Sequence, residues 1–287
     1  MPDCSAIAAR VSEPAPIRTP GPGALALVPG LEAGETPLRV ERLTGGSVND
    51  SWRVDTTAGH FVLRLDGAAW RRPGVDRARE RILHSAAARG GLAPRLIANS
   101  AAEGAQVSEF VPGRDWREAD FSAPAQLERL GERLLQLHSL PVPAGLGSFD
   151  PQACARDYLG RLVRGSGARA DAAAVVEAVG KAAATVALTS THACIIHGDL
   201  VHGNLRDGAR LWLLDWEYAQ LADPCYDAAC VLAYYPSARA QQARLLAAAG
   251  LRGRADGLAA AIYIYEALSW LWRLARGETA RAPGSVL

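Results

Sequence analysis

One block restricts this chain more than any other: HGDLVHGNLRDGARLWLLD, residues 197–215. It follows the short apolar run Cys194-Ile195-Ile196 and holds two His, three Asp and one Asn. The Asp-Gly pair at 207–208, set between apolar arms, predicts a tight hairpin. Folding those arms together brings Asn204 and Asp215 to the same open end, close to Asp199. An Asp, an Asn and a second Asp converging on a point form a hard-oxygen site. Such a site suits Mg²⁺, which accepts one or two protein carboxylates and fills its shell with phosphate oxygens and water. Asp199, which precedes the Asn, is then left to accept a proton from a hydroxyl.

That division of labour matches phosphoryl transfer from ATP, with no covalent intermediate required, and it makes demands on the rest of the chain. His197-Gly198-Asp199-x₄-Asn204 parallels the H-R-D-x-x-x-x-N of protein kinases, and Asp215-Trp216-Glu217 stands where a D-F-G is expected. A glycine-containing turn early in the chain should cradle phosphates with backbone N–H groups. LTGGSVND, residues 43–50, offers Gly45 and Gly46, with Ser47 and Asn49 as side-chain donors. A cation should follow on the third strand, and VLRL supplies Arg64, with Val62 on the same face to cap a purine. Glu80, on the next helix, is the candidate carboxylate partner of Arg64. The chain has neither a P-loop nor a GxGxxG after its first strand, which argues against the nucleotide folds built on those motifs.

Residues 1–36, rich in Pro, Gly and Ala, read as a loosely ordered arm. Strand signals begin at Leu38 and continue through SWRV and HFVLRL, an antiparallel meander. Apolar spacing predicts helices over 76–89, 126–138, 171–188, 227–235, 238–249 and 258–276. A small β-rich lobe with one helix (37–112), followed by a helical lobe (113–287), is an α+β arrangement with a hinge near 109–113. The 31 basic and 30 acidic residues balance, so nothing points to nucleic acid or a membrane surface. No apolar run is expected to approach the roughly 20 residues that span a bilayer. The start of the chain lacks the apolar segment of a signal peptide, and five cysteines without framework spacing fit reduced thiols in a cytoplasm. Cys225 and Cys230 near His197 and His202 lack the tight CxxC pair of a zinc site, and read as buried small residues.

With these motifs in place, the chain resembles the choline/ethanolamine kinase, thiamine kinase and aminoglycoside phosphotransferase group, which has a protein-kinase-like, two-lobed fold. The resemblance runs from about residue 37 to 276 and rests on HGDLVHGNL, LLDWEYA with ADPCYDAA, RGGLAPRLI and LLQLHSLP. DWEYA and an arginine on strand three lean toward the choline and thiamine kinase branch. The resemblance implies ATP and Mg²⁺ as cofactors and a small-molecule alcohol as acceptor. It makes Asp199 the base, Asn204 and Asp215 the metal ligands, and Arg64 with Glu80 the phosphate-side ion pair. It also puts adenine against residues 107–111, hence Glu109, Phe110 and Val111, and has Asp227 brace the catalytic loop.

Several assignments stay open at this level. Glu217 reads either as a ligand of a second metal or as a backbone partner. His197 reads as a loop-ordering group ahead of a proton carrier, and His202 as a solvated loop residue or a substrate contact. A cationic alcohol acceptor would use the aromatic and acidic residues of the last third: Trp216, Tyr234, Glu266, Trp270 and Trp272. The two last tryptophans are two residues apart and cannot share one helix face, so one of them belongs to the core. An aminoglycoside, homoserine or a sugar is the alternative acceptor, and a nucleotide-binding pseudokinase scaffold the alternative to an enzyme; the identity of the acceptor and the oligomeric state are not encoded in any of these motifs.

Overall fold

The computed structural model of the protein describes residues 17–32, 34–43, 49–67, 72–162, 167–190, 192–278 and 281–284. They fall into two compact units. The first combines residues up to 71 with Ile97–Phe110, and the second combines Arg72–Leu96 with residues from 111 onward. The helix at 77–89 therefore groups with the second unit, so the units do not follow a division of the chain at 112.

The first unit is built on strands β1 (Arg39–Leu43), β2 (Asp50–Thr56), β3 (Gly59–Leu65), β4 (Leu96–Ser100) and β5 (Ala105–Glu109). They lie in the order β1-β2-β3-β5-β4. The pairs β1–β2, β2–β3 and β3–β5 are antiparallel, with Val54 opposite Phe61 and Leu63 opposite Val107. Strand alternation puts Phe61, Leu63 and Leu65 on one buried face, with Val62 and Arg64 on the other.

An apolar sheet face has to be covered. Here the cover is residues 17–32, which were expected to be loose. Helix α1 (Pro22–Leu25) starts with Pro at its first turn, and Ala24, Val28 and Leu31 enter the same core as Val54, Phe61, Leu63 and Val107. Thr56 Oγ1 donates to Pro29 O at 2.7 Å, fixing the segment beyond the helix. The apolar residues that anchor it are few, but they recur at i, i+4 and i+7.

In the second unit, Asp76 caps α2 (Arg77–Arg89) by accepting from the amides of Ala78 and Arg79 at 2.9 and 3.1 Å. Leu83, Ala86 and Ala87 turn the helix toward the helical core. In α3 (Pro124–His138), Leu127, Leu130, Leu134 and Leu137 form the inward stripe. Helix α4 (Pro151–Arg161) has no counterpart in the sequence expectations, because its buried residues are only Pro151, Ala155 and Tyr158. Its start was nevertheless marked by Asp150, which accepts from Ala153 N at 2.9 Å, and by Pro at the first helical position.

Helices α5 (Gly167–Thr189), α6 (Cys225–Tyr234), α7 (Gln242–Ala248) and α8 (Ala255–Ala275) complete the unit. The single helix expected over 238–249 is a 3-10 turn, Pro236–Gln241, followed by α7, because Gln241 at φ −112° and ψ 11° interrupts the run. Within α5, Arg169–Thr189 is long and apolar enough to cross a membrane by length and composition, with mean hydropathy 1.4. This corrects the expectation that no run approaches that length. Its Ala172, Val175, Val176, Val179, Ala182 and Val186 are buried in the helical core.

The strands of this unit are short: β6 (Arg114–Asp115), β7 (Cys194–Ile196), β8 (Leu205–Asp207), β9 (Leu211–Leu213) and β10 (Gln220–Ala222). They form a β10–β7 pair and a β6-β8-β9 sheet, and they frame residues 197–219.

Candidate active site

The hairpin forms, with Asp207 still paired in the strand and Gly208, Ala209 and Arg210 making the turn. Leu205 faces Leu213, Asp207 faces Leu211, and Gly208 N donates to Arg210 O at 3.1 Å. One step beyond the strands Leu214 N donates to Asn204 O at 2.8 Å, so Asn204 and Asp215 leave the hairpin at the same end. Asn204 Nδ2 donates to Asp199 Oδ2 at 3.0 Å and to Asp199 O at 2.9 Å. Both amide hydrogens are thereby committed to Asp199, and the amide oxygen Oδ1 is the end suited to ligate a cation. Asp215, at φ +56°, is the one non-glycine with positive φ among the described residues. Aspartate tolerates that left-handed region better than most side chains, and such outliers mark sites held by their surroundings.

The loop that carries Asp199 is fixed from below by Asp227, in the first turn of α6. Its carboxylate accepts from His197 N at 3.1 Å and Gly198 N at 3.0 Å, and its Oδ2 lies 2.9 Å from His138 Nε2 at the end of α3. His197 Nε2 lies 2.8 Å from Leu214 O and its Nδ1 accepts from Asp199 N at 3.3 Å. Only the neutral imidazole protonated at Nε2 satisfies both bonds, and burial lowers the His197 pKa further from protonation. His197 therefore orders the loop. Gly198 is at φ +77°, and a Cβ there would lie 2.6 Å from Tyr218 O, so the loop requires glycine at this point. Tyr265 OH donates to Gly198 O at 3.3 Å from α8. Leu200 N donates to Cys230 Sγ at 3.2 Å, and His202 N to Tyr235 OH at 2.7 Å. Tyr235 in turn stacks on Phe121 with centroids 3.6 Å apart.

The Asp199 carboxyl is pushed up to about 7, first by burial and then by the negative charges of Asp215 and Glu217. The Asn204 hydrogen bond and the Arg72 charge act against the shift. Glu217 sits in a chain of alternating charges: its Oε1 pairs with Arg72 and its Oε2 accepts from Arg77 at 3.1 Å. Arg77 also donates to Glu80 Oε2 at 2.7 Å. Glu217 is 4% exposed. Each of its oxygens faces a guanidinium, so this carboxylate, read from the sequence as a second-metal ligand or a backbone partner, is paired with arginines here. Among the described residues no group of three or more His, Cys, Asp or Glu side chains could hold a metal ion. Asn204 and Asp215 are the remaining hard-oxygen candidates. Arg72 and Arg77 escaped the sequence reading. The only available signal was the i,i+3 spacing of Arg77 and Glu80 on one helix face.

Trp216 is a second correction. It is 1% exposed, its Nε1 donates to Leu213 O at 3.0 Å, and its ring meets the rings of His197 and His84. It belongs to the core and presents no surface to an acceptor. On α8, Trp270 is buried, while Trp272 is half-buried with the Arg276 guanidinium 4.8 Å from its ring centroid. Glu266 pairs with Arg239 at 3.0 Å, and the Tyr234 hydroxyl accepts from Ser269 Oγ at 3.3 Å. Tyr234 also meets Tyr265 edge-on with centroids 6.0 Å apart, which carries the aromatic row to the residue that touches Gly198.

In the first unit, Val62 and Arg64 share the β3 face opposite the buried one. Asn49 is buried at the start of β2. Glu109 ends β5 and pairs with Phe61, while Phe110 N donates to His60 O at 3.0 Å. The Phe110 ring lies under the Arg53 guanidinium at 4.3 Å. Val111 is buried in the second unit, and its carbonyl accepts from Arg206 Nη1 at 3.4 Å. Gly45, Gly46 and Ser47 lie outside the described residues.

A model of the phosphotransferase enzyme family matches residues 39–262. A search of the curated proteins found no match. Among solved structures, the chain is similar to a choline/ethanolamine kinase family protein from Mesorhizobium loti, with 25% identity, a TM-score of 0.67, and 88% of this chain and 84% of that one covered. Choline kinase LicA from Streptococcus pneumoniae has 19% identity, a TM-score of 0.70 and coverage of 88% and 90%. A thermostable aminoglycoside phosphotransferase APH(4)-Ia, in ternary complex with AMP-PNP and hygromycin B, has 18% identity, a TM-score of 0.63 and coverage of 86% and 90%.

Proposed function

Since the chain belongs to the phosphotransferase enzyme family and has a protein-kinase-like fold, we propose that it moves the γ-phosphoryl group of ATP to the hydroxyl of a small cationic alcohol of the choline, ethanolamine or thiamine type. The observation that carries the reading is Asp199. Its carboxyl is half-buried, held through one oxygen by Asn204, and pushed up to about 7 beside Asp215 and Glu217. A carboxylate held in place with one free oxygen can take a proton from a hydroxyl beside it.

The donor set fits Mg²⁺. A half-buried carboxylate pair whose mutual repulsion raises a pKa is relieved by a cation, and Asp215 with the Asn204 amide oxygen offers the oxygen ligands this ion takes. When bound, Mg²⁺ would neutralise phosphate charge during transfer. The chain's own residues then supply position and a proton acceptor. Asp199 Oδ1, the oxygen that Asn204 leaves, takes the acceptor's hydroxyl proton as the oxygen attacks phosphorus. Asn204 keeps the carboxylate from rotating. Asp227 and His197 hold the loop backbone, so that little reorganisation is needed during transfer. On the nucleotide side, Arg64 would serve the phosphates, Val62 the purine, and Glu109 and Phe110 the adenine edge.

For the acceptor, the supporting features are the aromatic row Tyr234–Tyr265, the half-buried Trp272 and the Glu266 carboxylate. Structures similar to this one include choline and ethanolamine kinases, which is the acceptor class such groups suit. Phosphate transfer from ATP with Mg²⁺ is to be measured across choline, ethanolamine, thiamine and a panel of aminoglycosides. Acceptor-stimulated ADP release with one of the first three is the expected result. Stimulation only by aminoglycosides would refute the acceptor class, and no stimulation with ATP by any of these alcohols would refute the reaction.

A further inference from the structure

We infer that residues 17–32 are a working part of the nucleotide-binding unit, with Arg18 as a positioning residue for the sheet end that carries Asn49 and Arg64. The inference rests on the nucleotide role proposed above for those two residues. The segment precedes residues 39–262, which are all that the family model matches.

Arg18 makes four hydrogen bonds, and all of them reach one end of the sheet. Its amide donates to Asp50 Oδ2 at 2.9 Å, Nη1 donates to Asp66 O at 2.8 Å, and Nη2 donates to Glu103 O at 3.1 Å. Its carbonyl accepts from Trp52 Nε1 at 3.1 Å. Asp50 opens β2, Asp66 follows β3, and Glu103 precedes β5. The register puts Asp50 beside Leu65 and Leu65 beside Ala105, so these three strand ends are neighbours. The other Asp50 oxygen accepts from Arg42 Nη2 at 2.9 Å, which ties β1 to the same point. One residue from outside the sheet thus links the strand that follows Asn49 to the strand that carries Arg64.

The anchoring makes the linkage specific. Val28 and Leu31 are buried in the sheet's core, so the segment is already ordered and little further entropy is lost in holding Arg18. Two glycines leave room for it. A Cβ on Gly23 would meet the Glu103 carboxylate at 2.5 Å, and Gly104, at φ +55°, would meet Arg18 Nη1 at 3.2 Å. An arm that served only as cover for the apolar face would need Val28 and Leu31 but not an arginine with these partners.

The test is Arg18→Ala in the full chain, with Arg18→Lys as the conservative variant. ATP affinity is read by calorimetry, and KM for ATP, KM for the acceptor and kcat by steady-state kinetics. Arg18→Ala is expected to weaken ATP binding and raise its KM about fivefold, since two side-chain bonds of modest strength are lost. The acceptor KM and kcat should stay within about twofold, and Arg18→Lys should recover part of the ATP defect. Hydrogen exchange at the amides of residues 50–52 and 66 should quicken in Arg18→Ala. A variant whose Tm falls while ATP affinity and KM stay at wild-type values would show a purely structural arm and overturn the inference. Wild-type protein that binds no ATP would overturn the nucleotide reading and this inference together, whereas wild-type binding that Arg18→Ala leaves unchanged overturns this inference alone.

Discussion

The catalytic loop and helix α8 both concentrate polar and aromatic side chains, yet their polar groups are held in opposite ways. In the loop, the amides of His197, Gly198, Asp199, Leu200 and His202 each donate to a side chain of the second unit, at 2.7 to 3.3 Å. On α8, Glu266 and Trp272 are met by Arg239 and Arg276, long side chains near the surface. Buried, multiply bonded networks rigidify a site, while exposed ion pairs contribute little and exchange readily. The first region keeps one geometry for the chemistry. The second is held by surface pairs that can rearrange, as the proposed acceptor site would require.

Asp227→Ala attacks the rigid side of this comparison and carries the largest expected effect. It strips the acceptor from two buried amides and from His138, and should lower stability by about 3 to 5 kcal/mol in denaturant melts. A loss below about 1 kcal/mol would mean that the loop does not depend on this carboxylate. Next is Asp215→Ala, which should weaken Mg-ATP binding by roughly 10²-fold in calorimetry while leaving metal-free ATP affinity unchanged. Equal loss with and without Mg²⁺ would place Asp215 outside the metal site.

How far this contrast could be read in the sequence follows from the range of the interactions. The hairpin and the meeting of Asn204 with Asp215 were legible because an Asp-Gly turn and short spacings fix local geometry. The start of α2 and the inward stripe of α3 were legible for the same reason. The Arg72–Glu217–Arg77 clamp was not, because it joins residues about 140 positions apart and no local pattern announces it. Trp216 was misread since only tertiary packing decides whether the aromatic beside Asp215 points inward. The spacing of Trp270 and Trp272 did show that one must be core, but which one depended on neighbouring helices. Composition was the poorest guide: it marked residues 17–32 as loose although Ala24, Val28 and Leu31 carry a buried stripe. The helix expected over 171–188 is α5, but its Asp171, Glu177 and Lys181 masked how apolar the rest of that helix is.

Two smaller effects probe the adaptable side. Trp272→Ala should raise the KM for a cationic acceptor about tenfold, with ATP kinetics unchanged, because a half-buried ring contributes about 1 to 2 kcal/mol to holding a cation. No change would place the acceptor away from α8. Arg239→Ala frees the Glu266 carboxylate and should lower the KM for a cationic acceptor about two- to threefold at low salt, the effect fading at high salt. A higher KM would instead assign Arg239 to an anionic part of the acceptor.

Asp199→Asn tests the central claim most directly, since it removes the proton acceptor while preserving shape and the contact with Asn204. Single-turnover phosphate transfer and Mg-ATP calorimetry are to be run in parallel on this variant and the wild type. The account predicts nearly unchanged Mg-ATP affinity and a rate of transfer to the acceptor lower by roughly 10² or more. Transfer at close to the wild-type rate would contradict the assignment of Asp199 as the base, whatever the acceptor.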